Sequence, residues 1–118
     1  NIKIKKIFVN KAGNDCIDLS AGNYELNEAN LKNCNDKAIS VGEKSNLNLN
    51  NVLIDKSFIG ISSKDLSLTK INQAKIFNSK LCAEAKQKKQ EFGGGKLIFK
   101  SVDCTGDFSE DNKSIIVR

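Results

Sequence analysis

The sequence predicts an all-β fold, a right-handed parallel β-helix solenoid with about five coils of about 22 residues each. Two features predict this fold. Apolar residues recur at a nearly constant interval along the chain, and within each repeat they alternate with polar residues. A fixed period is typical of repeat proteins, and the alternation is typical of short strands with one buried face.

The clearest set of repeated positions begins at Ile17. The same interval leads from Ile17 to Ile39 and Ile61, and then to Ala83 and Thr105. If each coil stacks on the previous one, these residues form a column through the core. In the other columns the interval is the same or differs by one position. They are the small residues Cys16, Ala38, Gly60, Cys82 and Cys104; the apolar sets Ile7, Ala29, Val52, Ala74 and Leu97, then Val9, Leu31, Ile54, Ile76 and Phe99, then Ile4, Leu26, Leu49, Ile71 and Phe92; and the mixed set Ala12, Cys34, Ser57, Ser79 and Val102.

Each coil is predicted to contain about three short strands separated by turns. Leu47-Asn48-Leu49 has the alternation of a strand, and Gly13-Asn14-Asp15 supplies turn residues at one corner. The segment from Leu81 to Gln90 contains good helix formers, but its alanines keep the column register, which predicts a strand that ends in a charged turn. Gly93-Gly94-Gly95 predicts a flexible turn rather than a phosphate-binding loop, because a strand pattern follows it.

The length of 118 residues fits one domain that covers residues 1–118. Because the chain begins with Asn1 rather than Met, we expect it to be a processed product or a piece of a longer polypeptide. No stretch is long and apolar enough for a membrane span. Lysines dominate the net charge of +5, and Arg118 is the only arginine. Nucleic acid is not an expected partner, since arginine commonly makes the bidentate contacts to phosphate and guanine.

The segment "NDKAISVGEKSNLNLNNVLIDKSFIGISSKDLSL" resembles the repeats of right-handed parallel β-helix proteins, the pectate-lyase-like superfold. The pairing of "AISVGEKSN" with "GISSKDLSL" is the most specific part of a likeness that covers nearly the whole chain. The chain is also similar to β-helix repeats attached to CotH-like domains in bacterial surface proteins. These resemblances imply the fold and favour an extracellular or cell-surface location. They imply no activity, because this superfold hosts lyases, hydrolases, adhesins and spacers.

The sequence favours a non-catalytic module over an enzyme. Lyases of this fold use calcium and a basic residue, often arginine, and related hydrolases use clustered aspartates with histidine and arginine nearby. This chain has no histidine, and its one arginine is the last residue. The column that begins at Asp18 continues through two serines to Glu84, which predicts no dense carboxylate cage for calcium. We expect no catalytic residue, metal or cofactor, and the alternative is a fragment of a polysaccharide lyase or glycoside hydrolase.

The four cysteines form no C-x-x-C pair and are accompanied by no histidine, so no zinc site is predicted. Cys82 and Cys104 are predicted to be neighbours in adjacent coils, at a separation that a disulfide could span. Side chains stacked in register point in parallel, however, rather than toward each other. We therefore expect free, buried thiols that act as small apolar residues, with a Cys82–Cys104 bridge as the alternative.

The outward positions of one predicted sheet supply the candidate ligand-binding residues, which are Asn48, Asn50, Lys70 and Asn72. Amide and ammonium groups can hydrogen-bond sugar hydroxyls, and a repeating surface suits an extended partner. The sequence therefore predicts a scaffold or binding module for a polysaccharide or for attachment to a protein surface.

Two further surfaces suggest protein partners. A stripe of exposed apolar side chains is predicted on the neighbouring sheet, from Phe8, Leu53 and Phe77. An uncapped solenoid exposes strand edges, and the start of the chain, "NIKIKKIFV", has no obvious cap, so we expect either further coils of a parent protein to continue the stack or two copies to associate end to end or edge to edge.

Overall fold

The computed structural model describes residues 1–118 without a gap, and it consists of strands and turns. The strands are β1 (Ile2–Val9), β2 (Ile17–Leu19), β3 (Gly22–Val41), β4 (Ser45–Lys64), β5 (Leu68–Lys86), β6 (Lys96–Asp103), β7 (Asp107–Glu110) and β8 (Ile115–Val117). All pairings are parallel, in the order β1-β3-β4-β5-β6-β8, with β2 beside β3 and β7 beside β5. The protein is therefore a parallel β-solenoid of about five coils, as predicted. No helix long and apolar enough to cross a membrane is present.

Strands β3, β4 and β5 each run through almost a whole coil and turn corners at single residues with a left-handed backbone. Asn33 (φ 55°), Lys56 (φ 70°) and Asn78 (φ 56°) occupy one such corner in three successive coils. Asparagine adopts this conformation readily, whereas the Cβ of a lysine is crowded against its own backbone. The corner therefore contains two favourable residues and one strained residue.

The core is built from ladders of aliphatic side chains. Ile17 stacks on Ile39, Ile39 on Ile61, and Ile61 on Ala83. Parallel pairing holds neighbouring coils about 4.8 Å apart, so equivalent side chains contact each other directly. The predicted column is confirmed for its first four members.

The column of small residues is explained by a close approach between coils. A Cβ added to Gly60 would lie 2.4 Å from the carbonyl oxygen of Cys82 and 3.1 Å from a methyl group of Ile76. Ala38, in the coil before Gly60, is completely buried. Only small side chains fit here, because the backbone of the next coil already occupies the space.

The fifth coil departs from the predicted register. Phe99 stacks on Ile71, and Ile71 stacks on Leu49, but the stretch of chain from Ile71 to Phe99 is longer than the stretch from Leu49 to Ile71. The extra residues lie in the turn between β5 and β6. The fifth members predicted for the columns are therefore wrong. Leu97 stacks on Thr69, and Val102 stacks on Ala74. Phe108, rather than Thr105, stacks on Ala83, and Phe92 lies in the turn.

The turn between β5 and β6 is held against the preceding coils. Strand β5 ends before this turn, which confirms the strand and charged turn predicted for residues 81–90. The buried carboxylate of Asp65 accepts a 2.7 Å hydrogen bond from the backbone N–H of Lys88. A Cβ on Gly95 would lie 1.9 Å from the carbonyl oxygen of Ser63. Glycine is required there because two backbones almost touch.

The expectation of free thiols is wrong, because disulfides join Cys16 to Cys34 and Cys82 to Cys104. The Cα–Cα distances are 5.4 Å and 6.2 Å, within the usual range for a disulfide. Neither pair is stacked in register. In the first pair, Cys16 lies beside the β2 ladder, whereas Cys34 lies before a register shift in β3. In the second pair, the shifted fifth coil puts Cys104 between β6 and β7. Side chains that are out of register can point toward each other, an arrangement that the repeat spacing alone does not reveal.

We expect Gly60→Ala to lower the free energy of unfolding by about 2 kcal/mol, because the added methyl group would overlap the carbonyl group of Cys82. Gly42→Ala is the matched control, since its Cβ would meet only the carbonyl oxygen of Leu19 at 3.5 Å, an ordinary contact. Urea unfolding followed by circular dichroism measures both variants. Equal stabilities would contradict the close approach at Gly60.

At the corner, we expect Lys56→Asn to raise the free energy of unfolding by about 0.5 kcal/mol, because asparagine tolerates a left-handed backbone better than lysine does. Lys75→Asn is the control, since Lys75 is an exposed residue inside strand β5, where no such gain is available. Thermal unfolding of the two variants checks this, and a gain at residue 75 equal to that at residue 56 would refute the explanation.

Candidate binding face

The candidate ligand-binding residues lie on the outer surface of the first part of β4 and β5. Leu47, Leu49 and Ile71 are buried in the core, and the residues that alternate with them are exposed. The backbones of β4 and β5 pair in register here, which places the predicted side chains side by side on neighbouring coils. We call the surface formed by the following residues the amide face: Asn27, Asn48, Asn50, Lys70 and Asn72.

Three asparagines on the amide face form a ladder. The Nδ2 of Asn72 donates to Oδ1 of Asn50 at 3.0 Å, and the Nδ2 of Asn50 donates to Oδ1 of Asn27 at 3.0 Å. Such ladders add to the stability of in-register parallel strands. Sequence reasoning identified Asn50 and Asn72 but missed Asn27, although its place one repeat before Asn50 carried the signal.

The other two predicted residues keep their full hydrogen-bonding capacity. Asn48 stacks on Lys70 in register, and the side chain of neither residue has a hydrogen-bond or ion-pair partner within the protein. An asparagine amide has two N–H donors and one carbonyl acceptor, and a lysine ammonium group has three donors. The amide face therefore combines a self-paired ladder with an adjacent pair of side chains that are free to bind a ligand.

The amide face is a shallow trough that crosses several coils. Two depressions of about 540 Å³ and 590 Å³ both include Asn48 and Asn50. The first extends toward Lys3 in β1, and the second extends toward Lys100 in β6. An elongated ligand could thus run along the stack of coils while it contacts equivalent positions on successive strands.

The charge along this trough is mainly positive. Its carboxylate, Glu25, lies 3.7 Å from the ammonium group of Lys3. Both groups are exposed, so this ion pair is weak. The lysines that line the trough are Lys3, Lys5, Lys70 and Lys100.

The predicted acidic column lies on a different sheet of the solenoid, and three of its four members are buried. Asp18 stacks on Ser40, Ser40 on Ser62, and Ser62 on Glu84. The hydroxyl of Ser62 donates to a carboxylate oxygen of Glu84 at 2.7 Å, and Lys86 lies 3.4 Å from the same oxygen. The two carboxylates are separated by two serines, as the sequence indicated.

Lysines beside this column are embedded in a network of mixed charge. Burial lowers the pKa of Lys64, and the ammonium groups of Lys37 and Lys88 lower it further. Burial also opposes the charge of Lys37, but its hydrogen bond to Asp36 and the nearby carboxylate of Asp15 together raise its pKa. Neither sign of charge dominates around this column, in contrast to the amide face.

The exposed aromatic residues do not form the predicted stripe. Phe8 and Leu53 share a column, but Asn30 stands between them, and Phe77 stacks on Asp55 in another column. Sequence reasoning also missed an exposed phenylalanine at residue 58, whose ring has the ammonium group of Lys80 at 5.3 Å from its centroid. The aromatic rings are therefore scattered and provide no continuous apolar surface.

The fold and the amide face together define a parallel β-solenoid with an amide-rich trough along its stack of coils. Comparisons of the chain with protein-family models, with curated proteins and with solved structures found no match. The structure shows the β-solenoid fold. Membership of the pectate-lyase-like superfold or of the CotH-associated repeats stays a prediction.

We expect Asn50→Ala to lower the free energy of unfolding by about 1 kcal/mol, because it removes both hydrogen bonds of the ladder at once. Asn48→Ala is the matched control, since Asn48 lies on the same strand and face but takes no part in the ladder, and its effect should stay within about 0.5 kcal/mol. Chemical unfolding measures both changes. A loss as large for Asn48 as for Asn50 would show that the ladder does not stabilise the fold.

Proposed function

We propose that this protein is a non-catalytic binding module that holds a polysaccharide along the amide face, with the β-solenoid as its rigid scaffold. The observation that carries this proposal is the pairing of Asn48 with Lys70, exposed and free of internal partners, beside the Asn50–Asn72 ladder. The four side chains project from neighbouring coils, so they present polar groups at a regular spacing.

A polysaccharide suits this face because both partners repeat. Neighbouring coils are about 4.8 Å apart, so the trough from β1 to β6 is about 20 Å long. Amide groups donate and accept hydrogen bonds, which matches the paired donor and acceptor character of sugar hydroxyls. A long, shallow surface of this kind favours an extended chain over a compact small molecule.

The lysines of the trough favour a polysaccharide that carries acidic groups. Four lysines line it against one carboxylate, which already has a lysine beside it. Exposed ammonium groups attract anions over about 8 to 10 Å at physiological salt, and added salt weakens this attraction. An acidic chain should therefore bind more tightly than a neutral one, and the difference should shrink as salt is added.

Three acidic residues make structural contacts, which favours a scaffold over an enzyme. Glu84 is buried and paired with Ser62 and Lys86. Asp65 and Asp111 accept hydrogen bonds from backbone N–H groups of the turn after β5. A module of this type would serve in attachment to an extracellular or cell-surface glycan. The alternative is a fragment of a polysaccharide lyase or glycoside hydrolase.

Calorimetric titration with uronate oligosaccharides and with neutral glucan oligosaccharides tests the binding proposal. We expect the double variant Asn48→Ala/Lys70→Ala to weaken the binding of the uronate chain about tenfold or more, because two polar contacts of about 1 kcal/mol each are lost. The double variant Asn51→Ala/Gln73→Ala is the matched control, since these two exposed residues also pair between β4 and β5 but lie outside the amide face.

The control variant should bind as the unaltered protein does. Failure of every glycan to bind, or an equal loss of affinity in both double variants, would refute the amide face as the site.

A turnover screen distinguishes the binding module from the enzyme fragment. We expect no new reducing ends and no unsaturated products from pectin-like or alginate-like polymers, with or without calcium. Release of either product by the purified protein, at a rate proportional to protein concentration, would establish catalysis and overturn the proposal.

A further inference from the structure

We propose that the two disulfides form a redox-sensitive fastening of the terminal coils. Their reduction releases the first and fifth coils, while the three central coils, formed by β3, β4 and β5, stay folded. The intact stack of five coils, including both ends of the trough, thus depends on an oxidising environment.

The positions of the bridges carry the proposal. Cys16 in the first coil is joined to Cys34 in the second, and Cys82 in the fourth coil is joined to Cys104 in the fifth. The partners are 18 and 22 residues apart in sequence, which is close to the length of one coil. Each bridge therefore ties a terminal coil to its neighbour, and neither crosses the interfaces between the central coils.

The terminal coils are also the ones with interrupted ladders. Strands β3, β4 and β5 pair with one another along almost their full length. In the first coil, β1 and the three-residue strand β2 are separated by a segment that forms no strand; it is bonded to β3 by a few backbone hydrogen bonds and one isolated bridge, between Ala12 and Cys34. In the fifth coil, β6 and the four-residue strand β7 are likewise separated. Short ladders open more readily than continuous ones.

The apolar core is less completely buried in parts of the first and fifth coils. Leu97 in the fifth coil is buried, but Ile4 in the first coil and Phe108 in the fifth are half-buried, whereas Leu26 and Ala83, on which they stack, are buried. Less buried apolar area means less hydrophobic stabilisation. A covalent link compensates for this deficit because it limits the freedom of the opened coil.

Each bridge joins a half-buried cysteine in a terminal coil to a buried cysteine in a central coil. Cys34 and Cys82 are 3% and 0% exposed, and Cys16 and Cys104 are half-buried. A dithiol reductant can attack the sulfur of Cys16 and form a mixed disulfide, which releases the thiolate of Cys34. The second thiol of the reductant then displaces the sulfur of Cys16. The protein gains two thiols and two electrons, and the reductant leaves as its own disulfide.

Hydrogen exchange followed by mass spectrometry, on the protein with and without dithiothreitol, tests this inference. We expect reduction to remove the protection of β1 and β2 in the first coil and of β6 and β7 in the fifth, while β4 keeps its protection. The thermal unfolding midpoint of the reduced protein should fall by about 10 °C, since each closed loop of about 20 residues contributes substantially to stability. Unchanged protection of the terminal coils in fully reduced protein, verified by thiol titration, would overturn the proposal, and so would equal loss throughout the chain.

Variants locate the effect at each end without a reductant. Cys16→Ser/Cys34→Ser should release only the first coil, and Cys82→Ser/Cys104→Ser should release only the fifth. Each variant serves as the control for the other, because both remove one bridge and leave the distant end unaltered. If dithiothreitol is added, it should remove protection in each variant only at the end that still has its bridge. Loss of protection at both ends in either untreated variant would refute independent fastening.

Discussion

Each coil of this protein is hydrogen-bonded to the next by a parallel ladder, so the equivalent residues one coil above and below largely set the surroundings of a side chain. This constraint explains the isoleucine stack of Ile39 and Ile61, because like side chains at about 4.8 Å fill the interior without gaps. It also explains Gly60, where the next coil leaves no room for a Cβ. Stability is therefore a sum of similar contacts between neighbouring coils.

The same constraint makes the outer surface repetitive. Side chains on the amide face are arranged at coil spacing, so an asparagine next to another asparagine can bond to it, as Asn72 does to Asn50. A ladder of this kind strengthens the scaffold and fixes the orientation of its amides. Side chains that stack without bonding, such as Asn48 and Lys70, stay available to a partner. Adjacent columns of one sheet thus differ, because one is bonded within the scaffold and the other keeps its hydrogen-bonding groups free, as the proposed binding role requires.

The first and fifth coils pair with their neighbours through shorter and more interrupted ladders than the coils between them. The two disulfides lie where this deficit occurs, and they join side chains that are out of register rather than stacked. In the fifth coil, the guanidinium of Arg118 lies 3.9 Å from the centroid of the Phe108 ring. Covalent and cation–π contacts therefore supplement the ladder at positions where it is incomplete.

The sequence by itself determined the fold class, the number of coils, and the register of the first four coils, because a fixed repeat of alternating apolar residues can be read directly along the chain. It also placed Asn48, Asn50, Lys70 and Asn72 on one outer surface. Only the tertiary structure decided the register of the fifth coil, since the residues added in a turn shift everything after them. It alone decided the disulfide pairing and the bonding of Asn27 to Asn50, because both depend on where side chains point around a corner or across coils.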